Sequence, residues 1–229
     1  MNTYLKWGSI AVLVAVIAGD ALFFLGNKST VTFFAIESNL LPREWQYKGF
    51  YTTPEQIAKA QANIKTFQGR VGGSTEEKYD IAVSIAQEYM HIGQGKEAYE
   101  YLLRAEKIDP INSITYQTMG TLFESTTAID AAEQAFKKGI ETQPHIAQNH
   151  LVLIEFYKRH NKEALTIDDT FVKALNSTDR NINLLKEYGQ WLEGENRYSD
   201  SLSAWEEVFA RDPNTAVERK VSQLKKLAK

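Results

Sequence analysis

An all-α solenoid of paired helices, led by one apolar helix, is the fold class that three observations predict. The first is a period of about 34 residues through the second half of the chain. With Pro110, Pro144, Asp179 and Pro213 set as repeat ends, a small residue recurs at Ala86, Gly120 and Gly189, with Ile154 departing. Tyr89, Phe123, Tyr157 and Leu192 follow three positions later, then Ala98, Ala132, Ile167 and Ser201. Leu102, Phe136, Phe171 and Trp205 come next, and Ala105, Gly139, Ala174 and Val208 close each copy. The second observation is that these apolar positions fall three, four and seven apart, which is one face of a helix and not strand alternation. The third is the apolar run from Trp7 to Leu25, broken only by Ser9 and Asp20 and bracketed by Lys6 and Lys28.

The repeat positions resemble the tetratricopeptide repeat (TPR), over roughly residues 79–215. The resemblance implies about four helix–turn–helix units plus capping helices. A single amphipathic hairpin cannot cover its own outer face, so neighbouring hairpins must stack. Small residues at Ala86 and Gly120 let paired backbones approach while Tyr89 or Phe123 fills the space beside them. The third copy departs from the pattern at Ile154, at one extra residue before Ile167, and at Asp179 in place of proline. A bend or looser packing is expected there.

The elements follow in order. Residues 1–28 are predicted to be a transmembrane anchor, since about 19 helical residues at about 1.5 Å each reach roughly the hydrocarbon thickness. A cleaved signal peptide is the competing reading, with Gly19-Asp20-Ala21 as a poor cleavage site. Asp20 either faces a partner or reaches the interface from near the helix end. The N-terminal amine and Lys6, against Lys28, Glu37, Arg43 and Glu44, give a small bias to a cytoplasmic N-terminus. That orientation puts the array outside the cytoplasm, at a bacterial inner membrane.

Residues 29–73 form a juxtamembrane part. Its aromatic stretch, with Phe33, Phe34, Trp45, Tyr47, Phe50 and Tyr51, has three open readings: the lipid–water boundary, a membrane-embedded partner, or the first repeats of its own chain. Thr53-Pro54-Glu55-Gln56 then starts a helix with a capping box. That helix carries Ile57, Ala60, Ile64 and Phe67 on one side, suited to covering the first repeat. Ser74 and Glu77 open the array at 74–215 with a second box, and residues 216–229 supply a basic capping helix through Val217, Val221 and Leu224, whose cations either stay solvated or touch an acidic partner or lipid headgroups.

Composition narrows the function. A net charge of −3 gives no drive toward nucleic acid, and the absence of cysteine removes thiolate catalysis and cysteine-held metals. No pair among His91, His145, His150 and His160 has the spacing of a helical metal site, and no phosphate-binding glycine loop is present. Asp168-Asp169 reads as helix-surface charge. No catalytic residue, cofactor or metal is expected.

The TPR resemblance implies a concave groove that takes a protein segment. Carried over residue by residue, its lining is Val83, Gln87, Met90 and His91, then Gln117, Thr121 and Glu124, then Leu151, Glu155, Lys158 and Arg159, and last Lys186 and Gln190. Each could equally be an ordinary exposed helix position. The cations Lys158, Arg159 and Lys186 suggest an acidic or carboxyl-terminal end for the ligand. Val83 and Gln87 stand where chaperone-tail clamps of this family carry Lys and Asn, so that mode is not expected. Two functions remain: a membrane-anchored adaptor, similar in layout to TPR proteins of cytochrome c maturation or of the Sec translocon, or a permanent subunit docked through 29–52.

Overall fold

The computed structural model describes residues 34–70 and 72–228. The predicted anchor and Phe33 lie outside the described residues. Ten helices are present among those described: α1 (Pro54–Gln68), α2 (Thr75–His91), α3 (Gly95–Ile108), α4 (Ser113–Ser125), α5 (Ile129–Thr142), α6 (Ala147–Arg159), α7 (Ala164–Ser177), α8 (Ile182–Gly194), α9 (Tyr198–Arg211) and α10 (Thr215–Leu227). They form a helical solenoid of four hairpins, α2–α3, α4–α5, α6–α7 and α8–α9, flanked by α1 and α10. The first helices of successive hairpins touch one another, whereas the second helices do not, so the first helices form the inner layer.

Local signals explain where helices start and turn. The boxes at Thr53 with Gln56 and at Ser74 with Glu77 are both formed. Asn112, Asn181 and Asn214 cap α4, α8 and α10 with side-chain oxygens on free N–H groups. Inside every hairpin one residue takes the left-handed conformation: Gly93, Thr127, Asn161 and Asn196. It reverses the chain while the freed N–H groups still reach carbonyls of the preceding turn.

The core follows the repeat register. A Cβ on Gly120 would collide with the Phe136 ring, and one on Gly189 with the Trp205 indole. Each glycine is thus the floor on which a large second-helix aromatic lies, and burying such a ring contributes about 2–3 kcal/mol. In the third hairpin Ile154 occupies that floor, fully buried opposite Phe171. The α6–α7 connection spans 160–163, one residue longer than its counterparts at 126–128 and 195–197. Helices α6 and α7 touch over far fewer residues than the other pairs, which is the looser packing expected from Ile154 and the extra residue. A cavity of about 400 Å³ opens beside them, lined in part by Leu153, Tyr157, Asp169 and Lys173.

Both ends are covered. Ala60 and Ile64 of α1 are buried against α2, and Asn63 donates to Glu88 at 2.6 Å. Val217, Val221 and Leu224 of α10 are buried on the last hairpin. Lys220 pairs with Glu193 and Lys225 with Glu206, both at 3.0 Å, tying the basic helix to its own array.

The aromatic segment resolves its three readings in part. Over residues 34–51 it folds onto the first two hairpins as a strap. Ile36 is buried in the main core, and Phe34 meets Tyr116 edge-on at 5.6 Å. The Phe34 N–H donates to the buried Glu106 carboxylate at 2.5 Å. Trp45 stacks on Tyr99 at 5.1 Å and tilts against Phe123 at 6.3 Å. The strap then crosses the α2–α3 turn as extended chain, with an isolated antiparallel bridge between Gln46 and Gln94. Tyr47 N–H donates to Gly93 (3.2 Å), Tyr51 N–H to His91 (2.8 Å), and Gly95 N–H to Trp45 (3.0 Å). Gly49, Gly93 and Gly95 permit this approach, since a Cβ at any of them would strike opposing backbone.

Candidate protein-binding groove

The inner layer carries a trough along α2 and α4. One cavity of about 570 Å³ lies between Tyr47, Lys48, Gly49 and Phe50 of the strap and Gln87, Met90, His91, Thr121 and Ser125 of the helices. A second, of about 460 Å³, shares Gln87, Met90, His91 and Thr121 and continues over Ile114, Gln117 and Thr118. Five predicted groove residues, Gln87, Met90, His91, Gln117 and Thr121, therefore come together on one surface. Val83 does not join them: it is 8% exposed and packs with Tyr79, Ala82 and Ala105 inside the first hairpin.

Helical spacing places the residues that do converge. Gln87 and Met90 are three apart on α2, and Gln117 and Thr121 four apart on α4. The Tyr47 hydroxyl donates to the Met90 carbonyl at 2.9 Å, fixing the strap against α2. Burial pushes that phenol up to about 12, so it remains a donor at any physiological pH. His91 lies 4.7 Å from the Tyr51 ring and 6.2 Å from Phe50, which is 80% exposed.

Toward the later hairpins the charges are already matched. Arg159 grips Glu124 through Nε at 3.0 Å and a terminal nitrogen at 2.8 Å, and His160 reaches the same carboxylate at 2.9 Å. Burial pushes Glu124 upward, but Arg159 and His160 outweigh it and leave its carboxyl below the ordinary range. Lys158 pairs with Glu155 at 2.9 Å and lies over the Phe171 and Trp191 rings, while Lys186 pairs with Asp212 at 3.2 Å. The three cations read as a docking point for an acidic end are thus engaged within the chain. Leu151 is partly buried against the core, and Gln190 is exposed on α8.

Of the juxtamembrane set, Phe34, Trp45 and Tyr47 contact the array itself, and Phe50 and Tyr51 flank the trough. Sequence reasoning missed that the strap forms one trough wall. The available signal was Gly49 facing Gly93 and Gly95, three glycines where two backbones meet. His150 takes the place that Tyr116 holds in the preceding hairpin: each reaches a repeat-end proline carbonyl, at 2.7 Å and 2.6 Å. Burial lowers the His150 pKa, as suits a structural imidazole. Among the described residues no group of three or more His, Asp or Glu could hold a metal ion, and no helix is long and apolar enough to cross a membrane.

Neither a family model nor a curated protein matches the sequence. Solved structures resemble it. BtubC from P. vanneervenii is 12% identical, with 77% of this chain and 85% of that one covered at a TM-score of 0.53. MamA is 15% identical over 76% of this chain and 99% of its own, with a TM-score of 0.48. A thermophilic TPR protein of Thermus thermophilus is 13% identical over 74% and 92%, with a TM-score of 0.47. At such identities the likeness concerns fold alone. Among the described residues the fold is a helical solenoid.

Proposed function

We propose that the chain is a membrane-anchored, non-catalytic adaptor that holds a protein segment in the trough along α2 and α4. The observation that carries this reading is the contrast along the inner layer. Around Gln87, Met90, His91, Gln117 and Thr121 the surface is concave. Around Arg159 and Lys186 the charges are paired internally. Peptide recognition needs a groove with apolar anchors and polar groups able to exchange water for a ligand. The first region offers Met90 as an anchor and Gln87, whose side chain has no hydrogen-bond partner among the described residues, while Gln117 is held by Asn149 and the Thr121 hydroxyl by the Gln117 carbonyl.

The apolar run at 7–25 supplies the tether in this reading, with the array on the extracytoplasmic side of a bacterial inner membrane. Tethering raises the effective concentration of any partner in the same bilayer. Assembly or stabilisation of a membrane or envelope complex is the corresponding role.

Blocking the trough tests the reading. Thr121 is exposed on α4, and Thr121→Trp fills the space beside Gln87 and Met90. In mild detergent the wild type is expected to co-purify a partner that Thr121→Trp loses. Leu165→Trp, at a 74%-exposed position on the outer-layer helix α7, is expected to keep it. Retention by Thr121→Trp with loss by Leu165→Trp contradicts the proposal.

A further inference from the structure

We infer that the outer groove between α5 and α7 is a second docking site, which takes a non-helical segment of a partner protein carrying an aromatic and a branched aliphatic residue two positions apart. The site is separate from the trough along α2 and α4 and stands without it.

The strap shows what such a groove holds. Second helices of neighbouring hairpins do not touch, so space is left between them on the outer side. In the first of these spaces the strap meets Glu106 of α3, which accepts the Phe34 N–H, and Tyr116 and Phe123 of α4, which meet the Phe34 and Trp45 rings. Ile36, two residues after Phe34, is buried in the same core cluster as Tyr116 and Phe123. One repeat later Glu106, Tyr116 and Phe123 become Ile140, His150 and Tyr157. All three line the cavity of about 400 Å³ beside α6 and α7, and no segment of the described chain fills it. The remaining strap contact, Tyr99, becomes Glu133, which is held by Lys137, Lys162 and the Tyr157 hydroxyl and does not line the cavity. The Phe34–Ile36 end of the strap therefore has a counterpart site here, and the Trp45 end has none.

The lining then selects the occupant. Ile140 and Leu153 are its aliphatic members, and His150 presents a ring where Tyr116 does in the strap's groove. The His150 Nε2 is already engaged by the Pro144 carbonyl at 2.7 Å and the Ser177 hydroxyl at 3.1 Å, so the rest of the ring is an apolar surface. Ile140 in place of Glu106 removes the acceptor that holds the Phe34 N–H, and burial of side chains becomes the driving force. Around them Lys137 and Lys173 stand against Glu141 and Asp169, a balance that favours neither an acidic nor a basic segment. The chemistry therefore fits a short aromatic-x-aliphatic motif of low charge, the pattern of Phe34 and Ile36. Leu165, 74% exposed on α7, is not among the lining residues and stays clear of such a segment.

The probe is an acetylated peptide with the strap's own Phe34–Leu41 sequence, titrated onto the full-length chain in detergent with its Ile and Leu methyl groups labelled for NMR. The Ile140 and Leu153 methyl signals are expected to shift and to saturate. Phe34→Ala or Ile36→Ala in the peptide is expected to weaken binding at least about tenfold, because burying one such side chain is worth a decade or more of affinity. Thr170→Trp in the chain fills the cavity from α7 and is expected to abolish the shifts, whereas Thr121→Trp in the trough is expected to leave them. The peptide substitutions leave the chain unaltered, so they decide the matter even if Thr170→Trp does not fold. Four results overturn the inference. Ile140 and Leu153 signals that do not move do so, as do shifts confined to Ile36 and Leu122, which mean that the peptide exchanges with the strap. Shifts that persist with both peptide substitutions mark a site for small apolar molecules instead. Shifts abolished by Thr121→Trp place the peptide in the trough, and the trough reading then survives while this one fails.

Discussion

Thr127 sits in the left-handed conformation (φ 60°) at the turn of the second hairpin, where the next two hairpins use Asn161 and Asn196. A β-branched residue is strained there, and asparagine is tolerated far better. Thr127→Asn is expected to raise stability by about 0.5–1 kcal/mol in urea denaturation. Gly120 has the opposite sensitivity, because Phe136 lies directly on it. Gly120→Leu is expected to lower stability by at least about 1–3 kcal/mol through overpacking. The carboxylates split by environment. Burial holds the Glu106 carboxyl above the ordinary range, although Phe34 N–H, Tyr116 and Lys138 oppose the shift. Its folded form binds the proton more tightly than its unfolded form. Its contribution therefore grows as pH falls from neutral toward the ordinary carboxylate range, and is lost as pH rises. Glu124 and Glu207, held low by Arg159 with His160 and by Arg180, act the other way and lose their contribution as pH falls through their folded values. Glu106→Gln is expected to gain most relative to wild type at neutral pH, with the difference shrinking toward pH 5, as read from denaturation midpoints.

At the scale of elements, the paired helices and two capping boxes were legible in the sequence, whereas the caps at Asn112, Asn181 and Asn214 and the strap were not. The capping boxes at Thr53 and Ser74 are chemistry between residues three apart, so sequence alone contains them. The departures at Ile154 and before Ile167 were also readable, because the same position in other copies shows what a small floor permits. The aromatic residues of 34–51 carry no such internal reference: lipid, a partner and their own array all bury rings equally well. Only the meeting of Gly49 with Gly93 and Gly95, distant in sequence, decides for the array. Two outcomes test these elements. Trp45→Ala removes the stack on Tyr99 and Phe123, and is expected to cost roughly 3 kcal/mol and to expose the α2–α3 turn to proteolysis. Amides of α6 and α7 are expected to exchange faster than those of α4 and α5, since local opening follows packing. Equal exchange in both hairpins contradicts the loosened third repeat.

Across the whole molecule, the predicted groove divides into two regimes that sequence spacing could not separate. Gln87, Met90, His91, Gln117 and Thr121 share a trough, while Glu124, Arg159, Lys158 and Lys186 are spent on ion pairs within the array. Which cations remain available depends on side-chain partners in adjoining helices, and helical periodicity does not encode that pairing. The proposed tether adds a separate expectation. Deleting residues 1–28 should release the chain from membranes under alkaline extraction while far-ultraviolet circular dichroism stays helical.

The most direct measurement places a photo-crosslinking amino acid at Gln87, Gln117 or Leu165 of the full-length chain in its native membranes. The account predicts one shared partner captured from Gln87 and Gln117 and none from Leu165. Capture from Leu165 alone, with both trough positions silent, contradicts it.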